Sequence, residues 1–144
     1  MKDERVTKKI GLLYWSGRTL FTRIFPHPLG PGQAVFLIRL TEGTEVRQEA
    51  LVSQIGVDKA IGTRVIRKLN EAGYLRRRRD PENYRAYLIS LTAEGTDMKR
   101  VILETVDSID ESLLYGFTDE DREMAHILLD RMIENIRRVI PTRA

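Results

Sequence analysis

The sequence predicts a mainly α fold carrying one small β-hairpin, and three observations support that expectation. Apolar residues recur at three- and four-residue steps over most of the chain, which is the spacing of amphipathic helices. The period changes to two only across residues 74–91, on either side of Asp80-Pro81. Two short helical segments joined through Gly56 precede that change. With 144 residues, 42% of them hydrophobic and 31% charged, the chain has the size and apolar content of a single packed domain, 1–144.

In the first helix, over 6–25, Val6, Ile10, Leu13, Tyr14, Gly17, Phe21 and Ile24 form the apolar stripe. Pro26-His27-Pro28 ends it, because proline lacks the ladder donor and pushes its predecessor out of the α region. A shorter helix follows Gly30-Pro31-Gly32 and carries Ala34, Phe36, Leu37, Ile38 and Leu40 up to a turn at 41–44. Residues 47–55 form a third helix with Ala50, Leu51 and Ile55 on one face; Gly56 stops it and Asp58 caps the next. That fourth helix runs to about residue 72 with Ile61, Val65, Ile66 and Leu69 inward, and stops at Gly73. Residues 74–79 and 86–91 are the strands of the hairpin, with Asp80 and Pro81 suited to the first two positions of a type I turn. Helix, turn, helix, hairpin is the order of a winged helix-turn-helix, here spanning 30–91.

Two long helices close the chain. Thr92 caps the first, which is expected to bury Met98, Val101, Ile102, Thr105, Val106, Ile109 and Leu113. Thr118 opens the second, with Asp121 in the place that Glu takes in a capping box; its stripe of Met124, Ile127, Leu128, Met132, Ile136 and Ile140 lasts until Pro141. A winged helix of ~60 residues has no need of helices this long. Residues 1–29 and 92–144 are therefore expected to be N- and C-terminal dimerisation helices, covered by a second copy of the chain, since two-fold dimers are the commonest soluble oligomers.

The net charge of +3 conceals a division: +3 over 1–57, +5 over 58–91 and −5 over 92–144. The basic centre coincides with the fourth helix and the hairpin, which points to a polyanion, although a solvated charged face also fits. Lys59, Thr63 and Arg67 recur every four residues with Arg64 beside them, and this polar face is available to double-stranded DNA. Along a strand, Arg76 and Arg78 point one way and Arg77 and Arg79 the other. Arg77 and Arg79 are the expected phosphate-facing pair, and Arg85 at the tip is the candidate for a narrow minor groove.

Other chemistries find little support. The chain has no cysteine, so disulfides and thiolate metal sites are excluded and a reducing compartment is compatible. His27 and His126 are far apart, and neither a phosphate-cradling glycine loop nor a His/Glu metal spacing occurs. No catalysis, cofactor or metal is expected. Residues 1–5 lack an apolar signal core, and the apolar run 34–38 is far short of the ~18 residues a span needs. The expectation is a cytoplasmic protein with no membrane partner.

The stretch Asp80-Pro81-Glu82-Asn83-Tyr84-Arg85-Ala86, followed by Leu91-Thr92-Ala93-Glu94-Gly95, resembles the wing signature of the MarR family of dimeric winged-helix transcription regulators. Pro31-Gly32-Gln33, and Val57-Asp58-Lys59 leading into Thr63-Arg64, fit the same family in order and spacing. The resemblance covers nearly the whole chain. It implies a homodimeric, sequence-specific regulator, commonly a repressor, that releases DNA on binding a small anionic or phenolic effector, and it gives Arg64 a base or phosphate contact. Such an effector would sit between the terminal helices and the winged helix, where Trp15, Arg18 and Phe36 would offer an aromatic wall with one cation. An operator read by such a dimer is a pseudo-palindrome with half-sites ~10 base pairs apart.

Two departures stand out. Asn83 and Tyr84 precede a single Arg85, so an Asp–Arg brace within the wing is expected to be missing, and Ala60 and Gly62 stand where polar residues are frequent on the recognition helix, Gly62 removing a base contact. The alternative to DNA reading is a winged-helix protein-interaction module in a larger assembly, against which the basic hairpin argues.

Overall fold

The structure, a computed structural model, describes residues 4–140. In chain order its elements are α1 (Val6–Ile24), α2 (Pro31–Ile38), β1 (Val46–Arg47), α3 (Gln48–Ile55), α4 (Lys59–Glu71), β2 (Leu75–Arg79), β3 (Tyr87–Leu91), α5 (Ala93–Leu113) and α6 (Asp119–Val139). They fall into two compact units, one ending at Ile109 and one starting at Asp110.

The first unit is built on a small, closed core. Phe36 and Leu37 of α2, Leu51 of α3, Ile66 and Leu69 of α4, Leu75 and Ile89 of the sheet and Ile102 of α5 are all fully or almost fully buried. Full burial contributes about 1.5–3 kcal/mol for each such side chain, so these residues hold α2, α3 and α4 against the sheet.

α3 ends on Gly56, whose φ of +85° is the left-handed stop, and the Asp58 carboxylate accepts the Ala60 N–H to start α4. The inward stripe of α4 is Gly62, Ile66 and Leu69, and Ile61 is 47% exposed. This corrects the sequence expectation twice. The hydropathy pattern places Ile61 inward, but Gly62 is the residue set against α3, where a Cβ would lie 2.6 Å from Val52 Cγ2. Gly62 therefore belongs to the α3–α4 contact and removes no base contact.

The sheet has three antiparallel strands in the order β1-β3-β2, with Val46 opposite Ile89 and Leu75 opposite Leu91. The hairpin is as expected; β1, two residues long, is an addition to it. The chain leaves the sheet through Thr92, whose hydroxyl donates to Gly73 O and accepts from Gly95 N–H. A Cβ at position 95 would lie 1.9 Å from Tyr74 O, so only glycine lets α5 start this close to the backbone leading into β2. His27 lies in the loop after α1, as expected, but its ring is engaged: Nδ1 accepts the Leu29 N–H at 3.2 Å and Nε2 is 3.1 Å from the Tyr74 hydroxyl.

The second unit comprises the end of α5 and α6. Thr118 and Asp121 cap α6 reciprocally, at 3.1 and 3.2 Å, and Arg122 pairs with Glu111 at 3.2 Å. Leu113 is 47% exposed, where burial was expected, and α6 has no buried residue. Among the described residues no helix is long and apolar enough to cross a membrane.

Candidate nucleic-acid interface

On α4, the face turned from Gly62, Ile66 and Leu69 is polar. Lys59, Thr63, Arg64 and Arg67 border one shallow hollow with Lys68, Asp58 and Glu71. Four cations against two carboxylates leave that surface positive. Arg64 and Arg67 are exposed and form no ion pair among the described residues. Lys59 reaches Glu49 only at 4.0 Å, between two largely exposed side chains, a pairing worth little.

Thr63 is tied down on both sides. Its hydroxyl donates to Lys59 O at 2.9 Å and accepts from Gln48 Nε2 at 3.3 Å. Gln48 Oε1 in turn accepts the Arg77 Nε–H at 2.9 Å. The Arg77 guanidinium lies 3.4 Å from the centre of the Tyr87 ring. Arg79 lies 4.5 Å from the same ring and 5.5 Å from the Tyr84 ring, and donates to Tyr84 O at 2.8 Å. The register explains the grouping: Arg79 is opposite Tyr87 and Arg77 opposite Ile89, so these two arginines share a face with Leu75 and Ile89.

The other face carries Arg76 and Arg78. Arg78 makes two hydrogen bonds of 2.7 Å to Glu45, crossing β3 to reach it. That bidentate bond holds the Glu45 carboxyl below its ordinary value and raises Arg78 in return.

At the wing, Asp80 is 4% exposed, accepts the Glu82 N–H at 2.9 Å and pairs with Arg47 at 3.3 Å. Asp80 is thus braced by Arg47 of β1, and among the described residues no Asp–Arg pair joins two residues of the wing itself. Asn83 accepts the Arg85 N–H at 3.2 Å, which shapes the tip, and the exposed Arg85 side chain has no ion pair among the described residues.

Arg47, Gln48, Glu45 and Tyr87 were not singled out from sequence. Counting back from the Asp80-Pro81 turn would have put Tyr87 opposite Arg79. The other three flank or lie in the two-residue β1, which has no periodic signal.

Of the expected effector residues, Arg18 and Trp15 do meet: the guanidinium lies 5.9 Å from the Trp15 ring and 5.5 Å from Tyr14, whose hydroxyl accepts from it at 3.2 Å. Trp15 is 66% exposed. Phe36 does not join them. It is fully buried in the core, because the short α2 has to turn its largest side chain inward, so it has no surface to offer a ligand. The second ring beside Arg18 is Tyr14. Among the described residues no group of His, Asp or Glu side chains could hold a metal ion, and His126 is exposed on α6.

Residues 29–87 match the MarR family. The uncharacterized HTH-type transcriptional regulator YybA of Bacillus subtilis strain 168 is 31% identical over 107 residues, 74% of this chain and 71% of that protein. A MarR transcriptional regulator from Methanosarcina mazei Go1, solved by crystallography, superposes with a TM-score of 0.86 at 30% identity, over 97% of this chain and 94% of its own. The fold is also that of Bordetella bronchiseptica BpsR, whose DNA binding is regulated by 6-hydroxynicotinic acid (TM-score 0.79, 24% identity, 90% of this chain and 98% of its own). These relatives are regulators and not enzymes, and the helix and wing that carry the unpaired cations are the parts that match: the chain belongs to the MarR family of DNA-binding transcription regulators.

Proposed function

We propose that the chain is a ligand-responsive repressor that binds a pseudo-palindromic operator as a homodimer. Residues 30–91 of the single 1–144 domain act as the reader, and 1–29 and 92–144 as the dimerisation part. The observation behind this reading is the set of cations without carboxylate partners on the exposed face of α4, Arg64 and Arg67, together with Arg85 at the wing tip. Cations left free in this way suit phosphates and base edges. Lys59, Thr63, Arg64 and Arg67 face the major groove, Arg77 and Arg79 approach phosphate from the wing, and Arg85 enters the minor groove.

Homodimerisation is supported by the apolar residues left exposed on α6, among them Leu128 and Ile136 at 41% and 57%. An effector site is supported by Arg18 beside two aromatic rings, Tyr14 and Trp15, on an exposed helix, which suits a hydroxylated aromatic acid of the kind that regulates BpsR.

An electrophoretic shift with DNA from upstream of the chain's own gene tests the reading. Binding should fall roughly a thousandfold between 50 and 200 mM salt, and Arg64→Ala should weaken it by about tenfold or more. Salicylate should release the duplex from the wild type and not from Arg18→Ala. A salt-independent shift, or an Arg64→Ala protein equal to wild type, argues against DNA reading by this face.

A further inference from the structure

Gln48 stands where three elements meet: it is the first residue of α3, directly after β1, and its side chain contacts α4 and β2. Its amide orientation is fixed by chemistry. Arg77 Nε can only donate, so the atom facing it must be the amide oxygen, and the amide nitrogen is then the atom 3.3 Å from Thr63. The donor of the Thr63 hydroxyl is already committed to Lys59 O, so that oxygen must accept from Gln48. Every polarity along Lys59, Thr63, Gln48 and Arg77 is therefore determined, and no other arrangement satisfies the same four groups.

Beyond Gln48 the chain of contacts stiffens further. Arg77 is stacked on Tyr87, which also bears Arg79, and Arg79 holds the Tyr84 carbonyl beside the wing tip. With its Nε bonded and its plane against a ring, Arg77 has lost most of its rotamer freedom. Its terminal nitrogens make no hydrogen bond among the described residues, and they remain open to an anion.

We infer that Gln48 is a positioning residue that locks the recognition helix to the wing, so that Thr63 and Arg77 meet DNA at a fixed separation. The inference rests on the DNA-reading proposal above and deepens it: the two parts of the interface read as one rigid unit.

The test is selection of duplexes from a random-sequence library by the full-length chain. Gln48→Met keeps the shape and removes both hydrogen bonds. It should bind the wild-type-selected duplex about tenfold more weakly and enrich a motif with relaxed preference at the recognition-helix positions. Its binding to mixed-sequence duplex at low salt should stay unchanged. Arg77→Lys, which keeps the charge and loses the Nε donor, should give the same relaxed motif, and the double variant should add nothing further.

A purely structural role for Gln48 would lower the active fraction without changing the motif. Gln48→Met enriching the wild-type motif at wild-type affinity, or the two substitutions multiplying in the double variant, overturns the inference and leaves DNA reading standing. A wild-type chain that enriches no motif overturns the DNA reading itself. Thr63→Val breaks the same link from the other side, so the inference is still decided if Gln48→Met does not fold: wild-type affinity and motif in Thr63→Val would overturn it.

Discussion

At the scale of single residues, the arginine run shows how a uniform sequence acquires different roles from its surroundings. Alternation divides Arg76 to Arg79 into two faces, and that division is legible from strand geometry alone. The partners are not legible, because Gln48 and Glu45 are 29 and 33 residues from the arginines they bind and flank a strand too short to leave a pattern. Arg78 is neutralised by Glu45, whereas Arg77 and Arg79 are stacked on Tyr87 and keep their charge. The bidentate bond from Arg78 lowers the Glu45 carboxyl, so the pair is fully formed above the ordinary glutamate value of 4.5 and is lost as pH falls through the lowered folded value. In an NMR titration the Glu45 carboxyl should titrate below 4.5, and Arg78→Met should move it up toward the ordinary value. A midpoint unmoved by Arg78→Met would mean that another group holds Glu45 down.

At the scale of elements, stop and cap residues were readable and close approaches were not. Gly56, Asp58, Thr92 and the Thr118–Asp121 pair do what local chemistry demands of them, and each is found at its expected place. Gly62 is different, because its reason lies on another helix. A residue with no side chain in a helix ordinarily costs ~1 kcal/mol relative to alanine, which makes Gly62→Ala look stabilising from sequence. The structure reverses the sign. The added methyl would lie 2.6 and 2.7 Å from the two Cγ atoms of Val52, a β-branched side chain with little rotamer freedom in a helix. Overpacking of this kind costs about 1–3 kcal/mol, so Gly62→Ala should lower the urea midpoint with little change in slope. Val52→Ala in the same chain should recover part of the loss by making room. A Gly62→Ala protein as stable as wild type would mean that α3 and α4 separate freely. Phe36 is a related case: from sequence, an aromatic on a short helix beside an aromatic first helix suited a ligand wall, but the tight core gave it no route to the surface.

At the scale of the whole molecule, the opposed charges of the middle and the last third follow separate tasks. The +5 stretch holds α4 and the wing, and the −5 stretch holds α5 and α6. The acids at 119–121 sit at the N-terminus of α6, where the helix dipole favours them, so part of that negative charge is explained by capping. The apolar residues of α6 have no such local explanation: Ile127, Leu128, Met132 and Ile136 are each 39–57% exposed along one helix that buries nothing. A monomer would leave them in water, and a two-fold partner would cover them. The wild-type chain should therefore sediment at twice 16.6 kDa, and the double substitution Leu128→Glu, Ile136→Glu should bring it to a single chain mass. Because α4 and the wing lie in the other compact unit, their fold should survive, and the variant should still bind a single half-site. On a full operator it should lose the second, linked contact and with it about a hundredfold or more of affinity. A wild-type chain that sediments as a monomer, or a monomeric variant that keeps full operator affinity, would separate DNA reading from dimerisation and leave the α6 face to another partner.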